Sequence, residues 1–345
     1  MRFWPSERKL SKDFASSYRY RNFLRPTFSC LHEEQLTVEL QKGDQRSSKA
    51  EHSIMSENAA GTVIVVSSHV VRGSVGNRAA VFALETLGHQ VWALPTIVLP
   101  WHPGHGRSTR LTFAEADFDA AIDDLIRAPW IGEVKAVLSG YFGNAAQARS
   151  VARLVAALRD KKPELLYVCD PVMGDLGGLY VAQATAEAIR DHLIPLASLA
   201  TPNRYELAWL AGAPLEDNTS IMDAALSLGP SRMLVTSAVP MMAGGTGNLY
   251  LSGRHALLAE HRLIDKPPNG LGDLLAALFL SRLLSGMEDE KALQLATASV
   301  YEVLARAVKR GSDELTLASD ASSLATPMAM VQMRRLMHPA QRRKS

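Results

Sequence analysis

Cysteine is nearly absent from this chain: 345 residues carry two, Cys30 and Cys169. Two thiols cannot build a disulfide scaffold or a four-thiolate zinc site, and they suit a reducing compartment, so a cytoplasmic location is expected. Long apolar runs are missing too. No stretch reaches the roughly 18 uninterrupted apolar residues of a membrane span, and the N-terminal region lacks the apolar segment of a secretion signal. Neither charge sign dominates: the formal net charge is +2. This removes the electrostatic basis for a nucleic-acid or acidic-membrane partner, and the basic end Arg342-Arg343-Lys344 reads as a solvated terminus. The Walker A loop and the dinucleotide GxGxxG turn are absent, as are a nucleophile elbow and any internal repeat.

With 47% hydrophobic and 21% charged residues, the chain is long enough for one large core or two modest ones. Residues 1–60 stand apart. They mix both charge signs without a sustained helical or strand period, which predicts a disordered extension outside the core. Glu7, Asp13, Glu33, Glu34 and Glu39 argue against a transit peptide, and Met55 is a candidate alternative start. From residue 62 onward short apolar runs alternate with helical-period segments. Strands are predicted at 63–66, 91–94, 136–138, 165–168, 199–200 and 233–235, several of them apolar on both faces as buried parallel strands are. Helices are predicted at 78–87, 113–127, 145–159, 184–192, 223–228, 274–284 and 291–310. This is the rhythm of an α/β sheet covered by helices. Alternation through 247–263 predicts an antiparallel hairpin at the sheet edge, and a domain over 61–311 leaves 312–345 as an unassigned tail.

Each predicted strand ends on polar groups: Ser67, Ser68 and His69; Ser139, Gly140 and Tyr141; Asp170; Thr201, Pro202 and Asn203; Thr236 and Ser237. In an open parallel sheet these positions share the edge where ligands bind. Asn269-Gly270-Leu271-Gly272-Asp273 joins them by running into an apolar helix. Its glycines allow close backbone approach, and unpaired first-turn N–H groups with the helix dipole make an anion site. Asp273 reads either as a helix cap or as a base placed at that site.

Asp170 and Asp175 bracket a Gly-rich loop, which suits oxygen coordination of Mg²⁺ or, equally, an Asx turn. Asn203 and Glu206 fit a ligand site or an ordinary capping box. An anion hole with acidic loops favours phosphoryl transfer, which needs positioning, charge neutralisation and a base for the acceptor hydroxyl. His102 and His105, in a Pro/Gly loop, lack the helical spacing of a zinc pair.

Five blocks in order resemble the pyridoxal kinases of the ribokinase-like superfamily, over residues 62–310. They are the stretch from Ser68-His69-Val70-Val71-Arg72-Gly73 to Val75-Gly76-Asn77-Arg78, then Leu138-Ser139-Gly140-Tyr141, Cys169-Asp170-Pro171-Val172-Met173-Gly174-Asp175, Thr201-Pro202-Asn203-Arg204-Tyr205-Glu206 and Gly270-Leu271-Gly272-Asp273. The resemblance implies a three-layer α/β/α fold with a mostly parallel central sheet, an antiparallel edge and no separate β-lid domain. It also implies a homodimer and ATP-dependent phosphorylation of the 5′-hydroxyl of pyridoxal, with pyridoxine and pyridoxamine as further acceptors.

The resemblance assigns roles as well. Asp273 is expected to take the hydroxyl proton while backbone N–H groups of Gly270, Leu271 and Gly272 stabilise the transferring phosphoryl group. Ser68, Val75, His102, Tyr141 and Asp273 are expected to hold the vitamer. Asp170, Asn203, Glu206, Thr236, Ser237 and Leu271 are expected at ATP, with Ile264, Asp265 and Lys266 beside the adenine. Asp170, Asp175, Thr201, Glu206 and Thr236 are expected around Mg²⁺, and Thr236 and Ser237 near a K⁺ or Na⁺ ion.

Two positions depart from the family pattern. Pro103 follows His102 where Thr is common, removing a hydroxyl and an N–H. Leu271 stands between two glycines where Thr or Val is frequent. A hydroxymethylpyrimidine kinase of the same superfamily and a catalytically weak B6-binding protein are the competing readings.

Overall fold

The computed structural model describes residues 61–339, all within one compact unit; the expectations for residues 1–60 and for the basic C-terminal end lie outside them. In chain order the strands are β1 (Thr62–Val70), β2 (Val91–Leu99), β3 (Leu111–Thr112), β4 (Val134–Ser139), β5 (Leu166–Cys169), the small hairpin β6 (Gly174–Asp175) and β7 (Gly178–Leu179), β8 (Leu199–Ala200), β9 (Arg232–Ala238), β10 (Gly245–Ser252), β11 (Ala256–Arg262) and β12 (Gln332–Arg335). All but the hairpin form one ten-stranded sheet in the order β12-β11-β10-β9-β8-β5-β4-β1-β2-β3. From β9 through β2 neighbouring strands run parallel. Antiparallel strands flank this block on both edges.

β1 explains the layering. Its Val/Ile-rich sequence suits a central strand, and alternate residues serve opposite faces. Ile64 and Val66 join one apolar cluster, Val63 and Val65 another, and all four are fully buried. The first cluster is covered by helices α2 (Glu115–Arg127), α3 (Ala145–Lys161), α4 (Gln183–Ala188), α5 (Arg204–Ala211) and α6 (Asn218–Ser227). The second is covered by α1 (Asn77–Thr86), α7 (Leu271–Leu284), α8 (Asp289–Lys309) and the short α9 (Ala321–Ala325). Helix α7 is apolar all round, and Leu274 to Arg282 are all buried. Its one internal charge, Arg282, donates to the carbonyls of Leu278 and Leu324 and to Ser299 Oγ. Burial lowers its pKa to about 10, so the cation persists at neutral pH and ties α7 to α8 and α9.

Several features depart from the sequence expectations; among them, the helix predicted over 223–228 starts earlier and runs over Asn218–Ser227, and Arg204–Ala211 forms a further helix. The helix predicted over 184–192 passes at Ile189 into a π-helical turn (Ile189–Leu193) and then a 3-10 turn (Ile194–Leu196). Pro195 cannot donate to a continuing helix, which accounts for the break. The sheet gains β3 beside β2, too short for its alternation to register. The C-terminal stretch left unassigned supplies β12, where Arg334 Nε meets the fully buried Glu260 Oε2 of β11 at 2.5 Å.

Candidate active site

The parallel strands end along one edge, and there the chain encloses a cavity of about 640 Å³. Its walls include the predicted residues Ser68, Val75, His102, Tyr141, Asp170, Asp175, Thr201, Asn203, Glu206, Thr236, Ser237, Ile264 and all of Gly270 to Asp273. Asp265 and Lys266 are the predicted residues that do not line it.

Helix α7 begins in the cavity wall. Gly270 is its N-cap with φ 96°, and a Cβ there would lie 2.0 Å from the Ser74 carbonyl oxygen. Only glycine fits that combination of backbone and contact. The first intrahelical bond runs from Leu274 N–H to Gly270 O at 3.0 Å, so the N–H groups of the preceding residues are free of helical partners and electropositive. Asp273 shares this turn. Burial pushes its pKa up to about 6 against a stabilising hydrogen bond from the Gly76 N–H. Gly76, at φ 55°, lies against Ser68, whose carbonyl oxygen would be 2.3 Å from an added Cβ. The two glycines thus bring the β1 loop, Ser68 and Asp273 together.

One end of the cavity is apolar with a polar fringe. Val75, Ile97 and Leu99 pack with Tyr141. The backbone of Tyr141 is fixed by Ser67 Oγ, which accepts its N–H at 3.1 Å, and by Thr96 Oγ1, which donates to its carbonyl at 2.7 Å. The Arg110 guanidinium lies 5.4 Å above the Tyr141 ring, a cation–π pair that sequence reading missed because the residues are far apart in the chain. His102 caps a 3-10 turn, Pro103–His105, by accepting the Gly104 N–H on Nδ1 at 3.1 Å. Burial lowers the pKa of His102, so its imidazole is neutral with the proton on Nε2. Pro103 occupies the first position of this turn, where a missing N–H costs no turn hydrogen bond.

The other end is acidic. Asp170, just after β5, accepts from Thr201 Oγ1 at 2.9 Å, and its pKa is held well above the carboxylate range by burial and then by Asp273 and Glu206. Glu206 forms a capping box with Asn203, accepting the Asn203 N–H on Oε2 at 2.8 Å while Asn203 Oδ1 accepts the Glu206 N–H at 2.9 Å. Its Oε1 accepts the Met173 N–H at 3.0 Å, and burial raises its pKa to about 7. The capping-box alternative is therefore realised, in a residue that also lines the cavity. Glu206→Ala leaves these backbone donors unpaired in a buried loop. We expect it to cost about 3 kcal/mol or more in urea unfolding. Asp175 is exposed and accepts the Gly177 N–H at 2.7 Å across the β6–β7 turn.

Beyond the acidic groups lies a mixed shelf. Ser237 adopts φ 54°, a left-handed conformation rare outside glycine and concentrated at functional sites. Leu263, Ile264, Val300 and Leu304 supply apolar surface, and His261 stacks on Tyr301 with centroids 4.5 Å apart. Val300 and Leu304 were missed, although their i,i+4 spacing marks one face of α8. Leu271 packs against the second apolar cluster as well as lining the cavity, so apolar packing takes the place of a hydroxyl.

The arrangement fits a divalent cation carried by a polyphosphate. Asp273 and Glu206 are both close enough to Asp170 to disfavour its charge, yet among the described residues no three His, Cys, Asp or Glu side chains form a metal-binding group. A Mg²⁺ ion here would complete its shell with phosphate oxygens and water, as that ion commonly does.

The family model described as phosphomethylpyrimidine kinase matches residues 115–318. Pyridoxal kinase PdxY of Rubrobacter xylanophilus is 36% identical over 289 residues, covering 82% of this chain and all of that protein. The Granulibacter bethesdensis PdxY is also 36% identical, over 276 residues, covering 77% and 96%. Among solved structures, pyridoxal kinase from Leishmania donovani in complex with ADP and pyridoxamine superposes with a TM-score of 0.76 at 26% identity, covering 80% of this chain and all of that one. The Entamoeba histolytica pyridoxal kinase, at 23% identity and a TM-score of 0.75, has the same fold. The ordered sequence blocks, the sheet whose strand ends enclose the cavity, and relatives matched along nearly their whole length lead to one assignment: the chain belongs to the pyridoxal kinase family.

Proposed function

We propose that the protein transfers the γ-phosphoryl group of ATP to the 5′-hydroxyl of pyridoxal, with Asp273 as the base. The observation that carries this reading is the placement of Asp273: a half-buried carboxylate lining the cavity in the first turn of α7, beside N–H groups without helical partners, with its pKa pushed up to about 6. The 5′ oxygen bonds to the γ-phosphorus as the bond from that phosphorus to the bridging oxygen of ADP breaks, and the hydroxyl proton passes to Asp273. Backbone donors of Gly270, Leu271 and Gly272, with the helix dipole, stabilise negative charge on the phosphoryl oxygens. Ser68, Val75, Tyr141 and neutral His102 hold the flat ring. Asn203, Thr236, Ser237 and Ile264 flank the nucleotide, with Asp265 and Lys266 outside the cavity wall.

Mg²⁺ held on the side of Asp170 and Thr201, with Asp175, Glu206 and Thr236 around it, would neutralise phosphate charge. K⁺ or Na⁺ near Thr236 and Ser237 and a homodimeric assembly belong to the same proposal. The cytoplasm is the compartment we assign; among the described residues no helix is long and apolar enough to cross a membrane.

The matching family model, described as phosphomethylpyrimidine kinase, supports a second reading, a pyrimidine kinase, for which hydroxymethylpyrimidine is the acceptor to test. Incubation with MgATP and pyridoxal, pyridoxine, pyridoxamine or hydroxymethylpyrimidine, with product and ADP followed, separates the two. Pyridoxal is expected to give the highest kcat/KM. A higher value for the pyrimidine replaces the acceptor, and binding of vitamers without ADP formation removes the kinase reading in favour of a B6-binding protein.

The base also predicts a pH dependence. Asp273 must be deprotonated to accept a proton, so kcat/KM is expected to fall as pH drops through about 6, approaching tenfold per unit below it. Glu206 and Asp170 also titrate upward of their usual range, so the limb attributable to Asp273 is the part that vanishes from the residual rate of Asp273→Asn.

A further inference from the structure

We propose that Glu314 is a positioning residue for pyridoxal, clamping the two loops that wall the vitamer end of the cavity. The inference rests on the assignment of that end to the vitamer. Glu314 lies after α8 and is 8% exposed. It does not line the cavity. Its Oε1 lies 2.9 Å from His105 Nε2 and 3.4 Å from Arg72 Nη1, while Arg72 also pairs with Asp313 at 2.8 Å. His105 belongs to the 3-10 turn capped by His102 and donates its own N–H to the His102 carbonyl at 3.0 Å. Arg72 opens the loop that continues through Gly73 and Ser74 to Val75 and Gly76. One carboxylate therefore grips both walls.

The fit around Glu314 is specific. Gly73 has φ 106°, and a Cβ there would be 2.6 Å from Glu314 Oε1, so only glycine lets the loop come this close. The next residue in each segment repeats the tie: Ser74 Oγ donates to the Leu315 carbonyl at 2.8 Å. The Ser74 carbonyl in turn faces Gly270, so the clamp reaches the anion site through one residue.

General stabilisation is a poor account of this carboxylate. Glu314 Oε2 is buried with no hydrogen-bond partner, an arrangement that costs stability. Arg72 and Asp313 are mostly exposed, and exposed pairs return little. Holding loop geometry for a ligand explains why a carboxylate with one unpaired buried oxygen sits there, as strain and unpaired groups are tolerated at working sites.

The test uses the full chain with Glu314→Ala, Glu314→Gln and His105→Ala. Glu314→Ala is expected to raise KM for pyridoxal about tenfold while kcat and KM for ATP stay within about twofold, the pattern of lost substrate positioning. Glu314→Gln keeps an acceptor for His105 and should raise it less. In the absence of substrates, trypsin cleavage after Arg107 and Arg110 should accelerate in Glu314→Ala, since both lie just beyond the clamped turn. An unchanged pyridoxal KM in a folded variant, or equal rises in both KM values, overturns the proposal. Should Glu314→Ala fail to fold, His105→Ala releases the turn from the exposed side and carries the same comparisons. A wild-type protein that phosphorylates no vitamer indicts the functional assignment, whereas an active wild type with unaltered variants indicts the clamp.

Discussion

Asp273→Asn is expected to lower turnover with pyridoxal and MgATP by about 10²-fold or more while the protein stays folded. The amide preserves size and can still meet the Gly76 N–H, but it cannot take the hydroxyl proton. Stability should move the other way. The folded-state pKa of Asp273, about 6, lies above the roughly 4 of an unfolded aspartate. The native state therefore holds more protons between those values, and stability is lost as pH rises through that window and stays lost above it. Asparagine carries no such penalty. At pH 8 the variant should melt at or above the wild-type temperature, a trade of stability for function that calorimetry can read beside the rate. Undiminished turnover would remove Asp273 from the role of base.

Gly270→Ala should be the most damaging small substitution in the site. A methyl group there meets the Ser74 carbonyl oxygen at 2.0 Å in a backbone conformation that disfavours any side chain. The left-handed conformation alone costs about 1–2 kcal/mol, and the contact is with backbone, so the turn must move. Displaced N–H donors lose their aim at the phosphoryl group, for which a loss of about 10²–10³ in kcat is expected. Gly272→Ala is the control for stability. Gly272 is not in the left-handed region, and an added Cβ there meets nothing within 4 Å. Alanine is the better helix former, so its urea midpoint should equal or exceed the wild type's. Similar midpoints for both variants would show that the Ser74 contact yields easily.

The consequences of the two family departures also follow from packing. Pro103 begins a turn that needs no donor at that position, and Leu271 exchanges a hydroxyl for contact with the core. Both leave the backbone N–H groups of the anion turn in place.

Much of this protein was legible before folding because it is encoded locally. The doubly apolar 63–66 run announced a buried parallel strand, polar residues after the strands announced the edge that walls the cavity, and the Gly270–Asp273 turn announced the start of an apolar helix; each depends on near neighbours, where strand and helix periods place side chains. The tertiary structure alone decided between the alternatives at Glu206, whose carboxylate meets Met173 from 33 residues away, and put Arg110 over Tyr141. It also set Leu315 against Ser74 across 241 residues and brought Glu314 to both loops of the cavity. Such contacts have no period and no spacing. They exist because burying the two apolar faces of one sheet forces distant segments onto a common edge, where the charges and hydrogen-bonding groups that could not be buried must find one another.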